Sequence, residues 1–598
     1  MNTRMSVFWL TALWASIAAV ISAARADSPY VPGSSAPPAV IEYVAHQGDP
    51  VPGIPDAYFA SLSRPRIDGG GNVLFVAGLA GPGIDSTNDL AILYGPPGGL
   101  EIILREADQV PDMPAGVVVD NLYYSGDAVS ETGWIQLTAQ IAGPGIEPDF
   151  NDLVVLVGPP GDMRKVIQTG DQAPGCDLGV YVTAAGGFGG ILSDNGTVRV
   201  DGSLAGPGVW VGNDRAMWIG TRDELALVFR EGMQAPGCPA GVLLKTPDYI
   251  SFNDQAQVSF RCTLAGEGVT YDNDMGRWVG APGDLHLVAR EGDPVPGMAE
   301  GVTWKGAGGS DTTNAWGVVY EGGPIQGPGV TSDNDMVVFV GQWDELVFCG
   351  REGDPVPEIG SGVTLGAVGS CLTNNRNEVF YQTSFIGPGI TESNKWAMYF
   401  GPIAEGRLEL RDGDSAPTFP AEVALWRVVG IPGNTAMNDI GGIVAPTLID
   451  GPGVTAEDKV VLWYRHPILR RWVPLLRSGG SVLGRTVWAE DEYDFAHGFS
   501  TRTSGSDGWY QSFNDAGQLA LGLAFTDGTE GVFRISPPVF GDGDEDGDVD
   551  LDDASLMHDC MQGPDDGMPA DCDAFDLDLD DDVDLADHAL FQQLFHGG

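Results

Sequence analysis

A unit of about 60 residues repeats along most of this chain, and that period limits which folds are open to it. Its clearest copy opens with Arg290-Glu291-Gly292-Asp293-Pro294-Val295-Pro296-Gly297. A Gly-rich run from Gly301 to Gly309 follows, then a polar turn and the alternating residues Val318 to Glu321. Gly327-Pro328-Gly329 ends that run, Asn334-Asp335 starts Met336 to Val340, and Leu346 to Cys349 leads to the next opener at Arg351. Four short strand-like runs separated by turn chemistry make one unit.

Two registers fix the period independently. Openers place a small residue at Gly48, Ala107, Gly170, Gly232, Gly292, Gly353, Gly413 and Gly479. The second turn places the first Gly of Gly-Pro-Gly, once Gly-Glu-Gly, at 81, 143, 206, 266, 327, 387 and 451. A third signature precedes the second strand, as in Asn253-Asp254, Asn438-Asp439-Ile440-Gly441 and Asn514-Asp515-Ala516-Gly517.

The two ends of the repeat region complement each other. Val40 to Ala45 runs directly into Gln47-Gly48-Asp49-Pro50, so it matches the fourth strand of a unit. The last unit has a second strand (Gln518 to Phe525) and a third (Gly531 to Ile535), and Pro537-Pro538 stops it there. A ring of four-stranded sheets closes by pairing the N-terminal strand into the last sheet, which leaves no open edge. The expectation is an all-β, eight-bladed β-propeller over 40–536, with the Gly-rich first strands innermost, where the axis is crowded. An open β-solenoid is the alternative, but it calls for distinct caps instead of complementary ends.

The N-terminus reads as an export signal. Arg4 precedes an apolar run from Val7 to about Ala24, and Ala24-Arg25-Ala26 is a cleavage site, so 1–26 is expected to be removed. An uncleaved anchor is the alternative, because the run is nearly long enough to span a membrane. Residues 27–39 read as a linker. With 30 basic against 83 acidic residues and a net charge of −53, a nucleic-acid-binding surface is excluded, and an anionic membrane would repel the chain. Its 86 Gly and 42 Pro, with 43% apolar residues, fit a turn-rich β body with a packed core.

The pattern Asn514-Asp515-Ala516-Gly517-Gln518-Leu519-Ala520-Leu521 resembles the NxxGxxAF tandem repeat of exported bacterial proteins that carry interchangeable C-terminal anchors. The resemblance covers about residues 40–535 and implies export and a modular tail. It brings no catalytic residues.

Asn88-Asp89, Asn151-Asp152, Asn213-Asp214, Asn273-Asp274 and Asn334-Asp335 each precede a third strand. They could present calcium or carbohydrate ligands around a rim. A residue needed in every blade more often closes an Asx turn, and the Arg-Glu-Gly-Asp opener invites the same structural reading, as a tight turn with a salt bridge. No HExxH, CxxC or phosphate-binding loop is present, and His46, His286, His466 and His497 are scattered. A glycosidase needs two carboxylates facing each other across a cleft, and the sequence does not select a pair. Trp304, Trp316, Trp343, Trp396 and Trp426 could stack on sugars or pack between blades. Cys176, Cys238, Cys262, Cys349 and Cys371 are an odd set whose pairing the sequence leaves open.

The tail carries the most specific signal. Residues 542–553 fit a twelve-residue calcium loop with Asp at positions 1, 3, 5 and 12, Gly547 at the sharp turn and Val549 at position 8. Residues 576–587 repeat it with Val583 in the same place, and a helical segment follows each loop. A disordered acidic tail would not keep two loops in register. These paired loops resemble a type I dockerin over about 541–596, a small α-helical, EF-hand-like module after a linker at 537–540. The resemblance implies two Ca²⁺ sites and docking onto a cohesin-like or other cell-surface protein. It assigns side-chain ligands to Asp542, Asp544, Asp546, Asp553, Asp576, Asp578, Asp580 and Asp587, and backbone ligands to Asp548 and Asp582. Asp581 replaces the turn Gly, and Leu551-Asp552 and Leu585-Ala586 replace the Ser-Thr pair common in cellulosomal dockerins. Cys560 and Cys572 flank the gap between the first helix and the second loop, and export would let them bridge.

The function expected is a secreted or cell-surface, non-enzymatic binding or scaffold protein, assembled through its tail. A polysaccharide-binding or polysaccharide-degrading propeller is the competing expectation.

Overall fold

The computed structural model describes residues 31, 34, 38–183, 189–308, 313–428, 435–490, 495, 511–544, 549–562, 572–580 and 582–595. Signal residues 1–26, most of the 27–39 linker, His497, Asp546, Asp548 and Asp581 lie outside that set. The chain forms an eight-bladed β-propeller followed by two short helices. In each complete blade the strands pair antiparallel in sequence order. The fourth blade shows this with Val242–Phe252, Val258–Gly266, Met275–Ala281 and Asp284–Arg290.

Burial explains the sequence pattern of each strand. Second strands such as Val73–Ala80 are buried along nearly their whole length, because both faces of a blade pack on neighbours. Outer strands such as Glu224–Arg230 alternate between exposed and half-buried before burying at one end. Trp218, Trp278, Trp304 and Trp463 fill the spaces between sheets with essentially no exposure. By contrast Trp316, Trp343 and Trp426 are exposed, although Trp316 Nε1 donates to the Asn375 carbonyl of the next blade and Trp343 stacks on His286 of the preceding one.

The ring closes as the complementary ends require. Val40–His46 pairs antiparallel with Glu530–Ser536, matching Val40 to Ser536 and His46 to Gly531. Arg534 Nε reaches Glu42 at 2.6 Å within this sheet, and its Nη1 donates to the Gly71 carbonyl of the first blade at 2.8 Å. The eighth sheet differs from expectation in showing three paired strands, Leu519–Ala524 being the third. Its first strand is represented by two bridges, Val487 to Phe525 and Phe513 to Leu519. First strands are also split in the first, third and seventh blades. The first two strands of the fifth blade also approach each other closely. A Cβ on Gly308 would stand 1.7 Å from the Gly322 carbonyl oxygen, which leaves no room for a side chain.

The repeated Asn and opener residues serve the backbone. Asn213, Asn273, Asn334 and Asn394 each accept an N–H from three residues earlier and donate to a Gly carbonyl five residues earlier. This staples the Gly-Pro-Gly loop shut. The opener arginines differ from the expected salt bridge. Arg105, Arg230, Arg290, Arg351 and Arg411 instead donate Nε to the carbonyls of Asn88, Asn213, Asn273, Asn334 and Asn394. Among the described residues, Cys176, Cys238, Cys262, Cys349 and Cys371 form no disulfide.

On the opposite face, the turns before the second strands hand bonds from blade to blade. Asn253, Asn314, Asn438 and Asn514 each donate Nδ2 to a backbone carbonyl of the following blade, at 2.8 to 3.0 Å. One residue further on, the N–H groups of Glu131, Ala315, Asn375 and Asp439 are received by side-chain oxygens of Asp194, Asn375, Asp439 and Asp515. Asp515 closes the circle by donating its N–H to Glu131 Oε1 at 3.2 Å, passing over Gly69, where a Cβ would stand 2.5 Å from that oxygen. Burial, reinforced by Asp515 and Asp194, pushes the Glu131 carboxyl up to about 8. Burial, again with Asp515 and Asp194 nearby, pushes Asp439 up to about 7.

Removing residues 38–46 should strip the fourth strand from the last blade, lower the melting temperature by more than about 5 °C and promote aggregation through the bared edge. An unchanged, monomeric melt measured by calorimetry and light scattering would contradict the closure. The axial acids set a second expectation. A carboxyl raised in the folded state stabilises it below its ordinary range and loses that contribution as pH rises through the folded value. Glu131→Gln should therefore gain in melting temperature relative to the parent between pH 5 and pH 9, and a pH-independent difference would refute the assignment.

Candidate metal centre

The two tail loops are built alike. The helix Leu551–Cys560 starts with a reciprocal cap in which Asp550 accepts from the Asp552 N–H at 2.8 Å and Asp553 Oδ2 accepts from the Asp550 N–H at 2.7 Å. The helix Leu585–Leu594 repeats this with Asp584, Ala586 and Asp587 at 2.6 and 2.8 Å. The acid at loop position 12 therefore spends one oxygen on the cap. Its other oxygen turns back to the loop start. Asp553 Oδ1 receives the Gly543 N–H at 2.6 Å, and Asp587 Oδ1 receives the N–H groups of Leu577 and Asp578 at 2.7 and 2.9 Å.

These caps gather the acids. Carboxylate oxygens of Asp542, Asp544 and Asp553 lie within 4.8 Å of one another, as do those of Asp576, Asp578 and Asp587. A third overlapping group joins Asp580, Asp582 and Asp587, so the Asp582 side chain also faces the second cluster. Asp553 and Asp587 are fully buried, and Asp576 and Asp582 are 5% exposed. Asp578 Oδ1 is buried without a hydrogen-bond partner among the described residues. Burial, with Asp587 and Asp580 close by, pushes the Asp578 carboxyl up to about 6. Buried carboxylates crowded this closely are costly unless a cation sits among them, and all-oxygen donors at this spacing suit a hard divalent ion. The residues fit calcium.

A disulfide joins Cys560 to Cys572 and ties the first helix to the second loop. Phe575, Leu577, Val583, Met557 and Phe591 form the module's interior, with Val549 packed against it.

That interior is continuous with the core of the seventh and eighth blades. Phe540, in the predicted linker, is 1% exposed and meets the His466 ring edge-on at 5.7 Å. Burial, with Arg465 beside it, lowers His466 to about 4 and keeps it neutral against this apolar contact. Arg471, in the hairpin between the third and fourth strands of the seventh blade, donates Nη1 to the Asp578 carbonyl oxygen. The second loop is thus held by the propeller. Sequence reasoning missed this contact, because nothing local distinguishes Arg471 from the other arginines.

Among the described residues, no helix is long and apolar enough to cross a membrane. A model described as a family of unknown function, DUF7453, matches residues 38–276 and 242–468. No curated protein matches the sequence. Among solved structures, a puromycin-hydrolyzing peptidase of Mycobacterium tuberculosis is 13% identical with a TM-score of 0.32, over 69% of this chain and 51% of its own. The β-propeller domain of the Trilobed protease from Pyrococcus furiosus is 9% identical with a TM-score of 0.30, over 70% of this chain and 98% of its own. An α-L-arabinofuranosidase from Fusarium graminearum is 12% identical with a TM-score of 0.21, over 61% of this chain and 99% of its own. The chain spans about half the length of the mycobacterial peptidase. At such identities these likenesses say nothing of activity.

Arg471→Ala should release the second loop from the propeller. The tail should then be cleaved at least about tenfold faster by a nonspecific protease, reflecting a lost charge-assisted bond of about 1.5–3 kcal/mol, while the propeller melt stays put. Equal cleavage rates in parent and variant would show that the contact does not hold the module.

Proposed function

The chain belongs to DUF7453, a family of unknown function, and from that premise we propose that it is an exported, non-enzymatic repeat protein joined to a surface or scaffold through a calcium-dependent, dockerin-like tail. One observation carries this reading. Two loops of identical design gather their first, third and twelfth acids around a common point, with the twelfth fully buried in each. Calcium would neutralise these acids, held by Asp542, Asp544 and Asp553 in the first loop and by Asp576, Asp578, Asp580, Asp582 and Asp587 in the second. Asp546 and Asp548 belong to the proposed first set from their loop positions alone.

The Cys560–Cys572 bridge supports an oxidising compartment, in keeping with the leader-like start. Leu551 and Leu585 hold the tenth position of the two loops and are 71% and 73% exposed. Two exposed leucines at matching helix starts supply an apolar contact for a partner protein of the cohesin kind, where polar residues are commoner. Arg471 holds the backbone of the second loop at Asp578.

Calcium titration of the full chain by calorimetry should find two sites. Asp553→Asn should abolish the first and Asp587→Asn the second, each leaving the other within about threefold of its parent affinity. Absence of calcium heat in the parent, or two sites unaffected by either substitution, would rule the reading out.

A further inference from the structure

Where eight units share one backbone, a residue present in every copy serves that backbone, and a departure is free to serve something else. Three departures meet in one place. A cleft of about 670 Å³ opens where the third blade meets the fourth, lined by Trp210, Asp214, Arg215, Glu231 and Lys245 among others. It lies on the face of the openers and Gly-Pro-Gly loops, away from the docked tail. Its size falls within the roughly 300–1,000 Å³ of small-ligand sites.

Trp210 takes the loop position held by Thr270, Thr331 and Thr391 in the next three blades. In all four copies the backbone N–H donates to the Asn three residues on, at 2.7 to 2.8 Å. Threonine therefore meets every need of the loop, and the indole is surplus to it. That indole is 65% exposed. Gly212 replaces Asp272, Asp333 and Ser393 of the same three blades. A Cβ there would stand 2.3 Å from the Trp210 ring, so the absence of a side chain is what lets the indole lie against the backbone. The far edge of the six-membered ring is what approaches Gly212, and most of the indole is left to the solvent. Arg215 starts the third strand where Met275, Met336 and Trp396 start theirs, and it is exposed. Lys245, one of five lysines in the chain, completes the cationic side.

We propose that this cleft binds a saccharide, with a pyranose ring stacked on the exposed Trp210 indole and its hydroxyls shared between Arg215 and Lys245 as donors and Asp214 and Glu231 as acceptors. A flat apolar platform bordered by both donors and acceptors matches a sugar, which has an apolar face and an equatorial rim of hydroxyls. A hydrocarbon would strip water from four charged groups without offering any of them a hydrogen bond. A nucleotide or polyphosphate would meet the repulsion of a chain with a net charge of −53. The inference does not depend on the reading of the tail.

The test is titration of the full chain with neutral hexose oligomers and with uronate oligomers, followed by tryptophan fluorescence and calorimetry, with and without EDTA. Saturable quenching at dissociation constants tighter than about 1 mM is expected for at least one class. Trp210→Thr restores the residue of the other blades, so its melt should match the parent while affinity falls at least about tenfold. Arg215→Met, also a residue of the repeat, should weaken the uronate arm more than the neutral arm if the ligand is acidic, and both arms alike if it is neutral. Absence of binding across both classes, or affinity unchanged in Trp210→Thr, overturns the proposal. Loss of binding in EDTA with Trp210 intact also overturns it, because the cleft would then not be the site.

Discussion

The structure depends on how each blade satisfies the polar groups of the next at the crowded axis. A turn near the centre of a ring is shielded from water, so its N–H groups need partners, and an unpaired buried donor costs about 1–3 kcal/mol. Here the partner is a side chain from the following blade, repeated around the ring through Asp194, Asn375, Asp439 and Asp515. The Asn ladder adds a second set of bonds between the same turns. Each blade therefore orders its neighbour, and the circle is complete only when Glu131 reaches across Gly69 to the last blade. The arrangement concentrates carboxyls. Glu131 and Asp439 are displaced well above their ordinary range first because the ring buries them, and then because the bonds that close it bring like charges together.

The tail extends the same core instead of hanging from it. Isolated acidic loops in a module of this size have little apolar area with which to offset repulsion between their carboxylates. Packing Phe540, Phe575 and Leu577 into the cluster that contains Tyr464, Phe513 and Ile535 supplies that area from the propeller. The Arg471 contact adds a fixed positive charge beside the second loop. The two acidic loops are thus unequal, although their patterns of acids are nearly the same.

Repetition separates structure from function within one molecule. Asn273 and Arg290 recur because every loop needs the same two bonds, and their hydrogen-bonding capacity is spent on the backbone. Trp210, Gly212 and Arg215 occur in one unit only, and nothing in the loop geometry calls for them. The departures were visible in the sequence once the copies were aligned. That they face one cleft was not visible, because it depends on the junction between two blades.

The sequence by itself determined the number of blades, the order of strands and the closure by Val40–His46, because these follow from period and from which strand each end lacks. It also placed the acids of both tail loops, since a metal loop is a local pattern with fixed spacing. Only the tertiary structure decided the rest. The first strands split at the axis, where neighbouring backbones come within reach of one another. Opener arginines such as Arg230 and Arg351 donate Nε to carbonyls, because the stapled loop turns those carbonyls toward them. Arg471 meets Asp578 across more than a hundred residues of chain. Such contacts are set by how blades and module pack, and side-chain spacing along the chain carries no record of that packing.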